Sequence, residues 1–132
     1  MIDTGPLVAL LDEDDRDHTR CVRAARRLSD DLLTTWPVLT EAMYLLSCSP
    51  KAQDALLAWV EDSILQVPVL DADDAREMRV LMTTYRDLPM DLADASLVRI
   101  ANREEIRQVF TLDRRDFGVY RSARGRSFAI VP

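Results

Sequence analysis

The sequence predicts an α/β fold. Short apolar stretches rich in β-branched residues ("LLTTW", "ILQVPVL", "IRQVFTLD", "SFAIVP") alternate with longer stretches of helical period, and no internal repeat or low-complexity segment interrupts the pattern. Strands separated in this way by helices pair in parallel and are covered on both faces.

The elements follow in order. "MID" ends a first strand at Asp3, and Thr4-Gly5-Pro6 turns into the helix "LVALL" with proline in its first turn. The polar run "DEDDRDH" is a loop of surface charge in which His18 is expected to be solvated. "TRCVRAARRLSD" resumes helical spacing and "LLTTW" is a strand. Pro37 opens the amphipathic helix "PVLTEAMYLLS", with Val38, Ala42 and Leu45 on one side. Ser49-Pro50 breaks it, and "KAQDALLAWVEDS" begins the next helix. "ILQVPVL" is a strand that Pro68 ends or confines to an edge. The following helix starts with Asp71, Asp73 and Asp74, expected as surface charge favoured by the helix dipole. "LPM" interrupts, "DLADASLVRIANREE" is helical, and the strands "IRQVFTLD" and "SFAIVP" close the chain.

At 132 residues the chain is expected to be a single domain, 1–132, that hides roughly two thirds of its unfolded surface. No apolar run approaches the roughly 20 residues that span a bilayer, and no secretory leader pattern occurs, so a cytoplasmic protein with no membrane partner is expected. Cys21 and Cys48 are too few for a disulfide framework and are expected as buried free thiols. The net charge of -6 disfavours a polyanionic partner, but it is unevenly spread. Residues 1–98 carry 9 basic against 19 acidic side chains, whereas residues 99–132 carry 8 arginines against 4 acids. Sixteen of the 17 basic residues are arginine, which suits bidentate phosphate contacts, although a coding bias explains the same preference.

In open α/β sheets, ligands gather beyond the carboxyl ends of the strands where strand order reverses. Two strands deliver an aspartate there, Asp3 in "ID" and Asp113 in "VFTLD". Glu41 is the lone charge of "VLTEAMYLL", in the first turns of its helix, and an unpaired buried charge costs several kcal/mol. Asp91 and Asp94 in "PMDLADASLV" stand three apart at another helix start, where Asp91 also suits an N-cap. Carboxylates gathered without a cation repel one another. Hard oxygen donors select Mg²⁺ or Mn²⁺, and with only one histidine a nitrogen-rich zinc site is excluded. The natural chemistry is phosphodiester hydrolysis.

"IDTGPLVALLD", "LTEAMYLL", "PMDLADASLV" and "VFTLDRRDF" occur in the order and spacing of a PIN domain, and the chain closely resembles the VapC-type toxins of bacterial toxin–antitoxin pairs. The resemblance spans nearly the whole chain. It implies a three-layer α/β/α fold with a central, largely parallel sheet of five strands, and Mg²⁺- or Mn²⁺-dependent endoribonuclease activity. It further implies a homodimer and inhibition by a cognate antitoxin protein. By position it implies the catalytic residues Asp3, Glu41, Asp94 and Asp113, with Asp3, Asp94 and Asp113 on the metal. Asp91, Asp116, Thr4 and Thr111 are implied as accessories, the threonines orienting a carboxylate or a water. Two residues precede Asp3 where the family has several, so the first strand is expected to be short.

Arg114, Arg115 and Arg121 follow the last motif and suit RNA phosphates or plain surface charge equally. Trp36 and Trp59 are expected in core or dimer packing rather than base stacking. Phosphotransfer folds with a strand-end aspartate fit poorly, because Gly5 stands where a second aspartate is required and Lys51 is the only lysine. No phosphate-binding loop or dinucleotide fingerprint occurs. The non-enzymatic alternative is a PIN-like module that binds RNA or protein without cutting.

Overall fold

The structure, a computed structural model, describes residues 1–28, 31–88 and 90–132. Ser29 and Asp30, at the end of the second helical pattern, and Pro89 of the "LPM" break lie outside the described residues. The order is α1 (Thr4–Leu11), α2 (His18–Ala25), β1 (Leu32–Leu33), α3 (Trp36–Leu45), α4 (Pro50–Glu61), β2 (Leu65–Gln66), α5 (Ala72–Thr84), α6 (Leu92–Arg103), β3 (Gln108–Phe110), α7 (Asp116–Val119) and β4 (Ala129–Val131).

Helix starts follow local chemistry. Asp3, extended, accepts from the Thr4 amide; Pro37 and Pro50 sit in the first turns of α3 and α4, and the Ser49 hydroxyl caps α4 by accepting from the Ala52 amide. Asp71 and Asp74 form a reciprocal capping box on α5, and Asp91 caps α6 through the Asp94 amide. The four-residue helix α7 is not evident from periodicity, because so short an element shows none. The buried face of α3 is Val38, Leu39 and Ala42; Leu45, expected with them, is exposed.

The strands are shorter than their apolar stretches. β1 pairs in parallel with β2 (Leu32 with Leu65, Leu33 with Gln66), and β3 pairs in parallel with β4 (Gln108 with Ala129 through Phe110 with Val131). Residues 1–3 lie between the two pairs. Ile2 forms a parallel bridge to Phe110, its amide donates to the Leu33 carbonyl at 2.8 Å, and the Asp3 amide donates to the Phe110 carbonyl at 2.9 Å. The described residues thus form two parallel two-stranded ladders joined by this short segment, rather than one continuous ladder of five. Strand order reverses between residues 1–3 and β3, so the carboxyl ends that flank the reversal are those of Asp3 and Asp113.

Ile2, Val109 and Phe110 are fully enclosed, and α6 buries Ala93, Ala95, Leu97, Val98, Ile100 and Ala101 beside them. Small side chains let this helix approach closely, and the buried Thr35 and Ser96 hydroxyls share a hydrogen bond of 2.6 Å there. α1 and α6 both pack against α3, so the starts of α1 and α6 line one cleft together with Glu41 and Leu45 of α3.

Several expectations change. Asp74 is 1% exposed, gripped by Arg99 Nε and Arg103 Nη1 at 2.6 Å each, and is no surface charge. His18 is half-buried, with Nδ1 2.8 Å from the Ala9 carbonyl, which ties α2 to α1. Cys21 is buried, but Cys48 is exposed. Trp59 packs partly against the core, whereas Trp36 is 55% exposed and belongs to no core.

Candidate active site

At the strand-order reversal a cleft of about 720 Å³ is lined by Asp3, Thr4, Glu41, Asp91, Asp94, Asp113, Asp116, Arg114 and Arg115 among others. Residues from four separate regions of the sequence meet there. Asp3 leaves the first strand, Glu41 comes from α3, Asp91 and Asp94 from the start of α6, and Asp113 from the end of β3.

Hydroxyl groups hold these carboxylates. Asp3 Oδ1 accepts from the Thr4 amide and Oδ2 from the Thr111 hydroxyl, both at 2.7 Å. The same Thr111 oxygen accepts from the Asp113 amide at 2.9 Å, so one threonine ties the ends of two strands together. The Thr4 hydroxyl donates to Glu41 Oε2 at 2.7 Å. The Tyr120 hydroxyl, from a fully enclosed ring packed edge-on against Phe117 and Tyr85, donates to Asp94 Oδ2 at 2.9 Å. Asp91 Oδ1 accepts from the Asp94 amide and Asp113 Oδ1 from the Asp116 amide, each at 2.9 Å.

No ion pair reaches Asp3, Glu41, Asp91, Asp94 or Asp113 among the described residues. The electrostatic result is visible in two of them. Burial pushes the Asp3 carboxyl up to about 6 against the pull of Thr111 and Thr4, and the charges of Glu41 and Asp91 add to the push. Burial likewise pushes Asp94 up to about 7 against Tyr120, with Asp91, Asp3 and Asp113 adding. Burial and the Asp94 charge raise the Tyr120 phenol, which keeps it a hydrogen-bond donor.

The predicted quartet is therefore together on one cleft, with both threonines bonded to its members. Among the described residues no three Asp, Glu, His or Cys side chains stand as a ready-made metal cage. An open, oxygen-lined cleft still fits Mg²⁺, which keeps several waters and relies on one or two carboxylates together with substrate phosphates. Asp116 also lies at the cleft, its buried Oδ1 without a hydrogen-bond partner and 3.6 Å from Arg115 Nε. Arg115 is well exposed and Arg114 bonds the Pro132 carbonyl. Arg121 is not at the cleft: its Nη1 donates to the Gly118, Val119 and Tyr120 carbonyls and finishes α7.

Tyr120 is the site residue that sequence reasoning misses. Its only signal is its place three residues after Phe117, which reads as core packing. A second cavity, of about 280 Å³ at the opposite ends of the strands, is lined mainly by Met1, Leu28, Leu32, Leu33, Ile106 and Phe110. Its apolar wall offers no chemistry.

A PIN domain family model matches residues 1–121. The chain is 28% identical over 134 residues to Ribonuclease VapC26 of Mycobacterium tuberculosis, across 100% of this chain and 99% of that one. The fold also matches the crystal structure of VapC20 from Mycobacterium tuberculosis, described as a toxin that cleaves the sarcin–ricin loop. That match has a TM-score of 0.80 at 19% identity, over 87% of this chain and 90% of the other, and is a likeness of fold.

Proposed function

The chain belongs to the PIN domain family, and from that premise we propose that it is a metal-dependent endoribonuclease, the toxin of a toxin–antitoxin pair. The observation that carries this reading is the cleft where Asp3, Glu41, Asp94 and Asp113 converge with no cationic side chain on any of them among the described residues. The full-length similarity to a ribonuclease supports it.

Asp3, Asp94 and Asp113 would hold the ion, Mg²⁺ or Mn²⁺, since every donor is oxygen and a cation relieves the crowding that pushes Asp3 and Asp94 upward. When bound, a divalent cation supplies Lewis-acid stabilisation of phosphate oxygens and makes water acidic enough to attack. The side chains do the positioning. Thr111 orients Asp3 and, through the Asp113 amide, the turn after β3; Thr4 orients Glu41 towards the cleft; Tyr120 orients Asp94. Glu41 positions the nucleophile for in-line attack on phosphorus, with departure of the opposite oxygen. Asp91 and Asp116 are accessories, and Arg114 and Arg115 meet phosphates beside the scissile bond.

RNA and a cognate antitoxin are the proposed partners. Exposed Tyr44 and Leu45 lie one turn along α3 from Glu41, apolar surface that suits an antitoxin or a second copy in a homodimer. The cytoplasm is the proposed compartment; no helix among the described residues is long and apolar enough to cross a membrane.

The test is Asp94→Asn with RNA and Mn²⁺. Loss of cleavage and of growth inhibition with an unchanged circular dichroism spectrum is expected, and undiminished cleavage overturns the assignment. Wild-type protein that binds RNA but leaves it intact with either metal would establish the non-cleaving module instead.

A further inference from the structure

Basic side chains on this acidic molecule gather at a second place. α2 and the turn after it carry Arg20, Arg23, Arg26 and Arg27 within "TRCVRAARR". Cys21 and Ala24 are buried, the four arginines are exposed, and Arg20, Arg23 and Arg27 follow one another at i, i+3 and i+7 along one edge. Arg20 pairs with Asp17 at 3.5 Å in an exposed contact of little strength. Arg23, Arg26 and Arg27 have no acidic partner among the described residues.

This stripe is joined to the cleft. Arg20 Nη2 donates to the Pro132 carbonyl at 3.1 Å, and Arg114, which lines the acidic cleft, bonds the same carbonyl. A run of guanidinium groups therefore leads from the cleft rim past the end of β4 and along the outer face of α2.

We propose that this run is a phosphate track: an RNA strand lying in the acidic cleft continues past Arg114 and Arg20 onto α2, where Arg23 and Arg27 grip its backbone. The proposal rests on the ribonuclease reading. A molecule of net charge -6 with a carboxylate-lined cleft repels RNA, so its affinity must come from a local cationic surface. Arg20 to Arg27 spans about 10 Å of helix axis, the length of roughly three nucleotides of a helical strand. Contacts to phosphate carry no base information, so the track lengthens the footprint without selecting sequence.

The experiment uses a 5′-fluorescein, mixed-sequence, single-stranded RNA of about 20 nucleotides in EDTA, with anisotropy read across a range of potassium chloride. In the variant Arg23→Ala/Arg27→Ala the slope of log Kd against log salt is expected to fall by about 1.4, or about 0.7 for each lost contact. Arg23→Lys/Arg27→Lys keeps the charge and should keep the slope. With Mn²⁺ present, the alanine variant is expected to show a raised KM and an unchanged kcat. An unchanged slope and KM in a variant that cleaves RNA overturns the track alone. A lowered slope in protein that cleaves no RNA supports the track and sinks the nuclease reading. Retained RNA binding with lost binding of a polyglutamate probe would assign the stripe to an acidic protein segment and overturn the proposal.

Discussion

At Asp94 opposing effects act on one carboxyl. Burial and the charges of Asp91, Asp3 and Asp113 raise it to about 7, while the Tyr120 hydroxyl favours its charged form. Tyr120→Phe removes only the favourable contact. Hydrogen bonds to charged groups are worth about 1.5 kcal/mol, so kcat is expected to drop about tenfold, and the acidic limb of the rate–pH profile should move to higher pH. A purely structural role for Tyr120 would lower stability without moving that limb. The same push has a stability consequence. Asp3 and Asp94 titrate higher in the folded chain than the usual 3.8, so between about pH 4 and 7 the folded state holds protons that the unfolded chain has released. Their contribution is complete below about pH 4 and is lost as pH rises through 6 and 7. Asp94→Asn should therefore melt higher than wild type at pH 8, by about 1–2 kcal/mol after allowance for partial exposure, with little difference at pH 4. Parallel thermal melts at the two pH values check this.

Helices α5 and α6 are joined by a polar clasp. Asp74 closes the capping box of α5 and also binds Arg99 and Arg103 of α6, and Arg103 reaches the Val69 carbonyl as well. Burial alone would raise the Asp74 carboxyl, but the Asp71 amide and the two guanidinium groups hold it below the usual carboxylate range. The arginine side chains keep 22% and 29% of their surface in solvent, so the clasp is weaker than an enclosed pair. Asp74→Ala is expected to cost about 2 kcal/mol in urea denaturation, below the ~3–5 of a fully buried pair, with cleavage kinetics intact well under the melting temperature. In the sequence, Asp71, Asp73 and Asp74 are alike, three acids at a helix start. Only the arrival of α6 beside Asp74 separates it from its neighbours. Trp36 shows the converse: an apolar residue in an apolar stretch, left in solvent because α3 turns Val38, Leu39 and Ala42 inward instead.

Across the whole molecule, charge is separated into an acidic cleft and a basic flank. A cation bound only by the folded cleft stabilises by mass action, about 2.7 kcal/mol at a hundred times its Kd. Mn²⁺ titration should therefore raise the Tm of the wild type, and Asp113→Asn should abolish most of the rise; an equal gain in both proteins would place the ion elsewhere. RNA affinity should fall steeply with salt although the chain is acidic, because the flank rather than the net charge meets the phosphates.

Local grammar by itself determined the alternation of strand and helix and the helix starts at Pro37 and Asp91, and it singled out Asp3, Glu41, Asp91, Asp94 and Asp113 as candidate carboxylates, because periodicity, caps and a lone charge among apolar neighbours are properties of adjacent residues. The narrower quartet of Asp3, Glu41, Asp94 and Asp113 came from the family resemblance. The first strand is observed as the single bridge of Ile2 to Phe110. Tertiary packing alone decided that Thr111 joins Asp3 to Asp113, that Tyr120 holds Asp94, that Asp74 is enclosed, and that Arg20 and Arg114 meet at Pro132. Each of these contacts joins residues far apart in the chain. Their energies depend on burial and on a partner's distance, which no local pattern encodes.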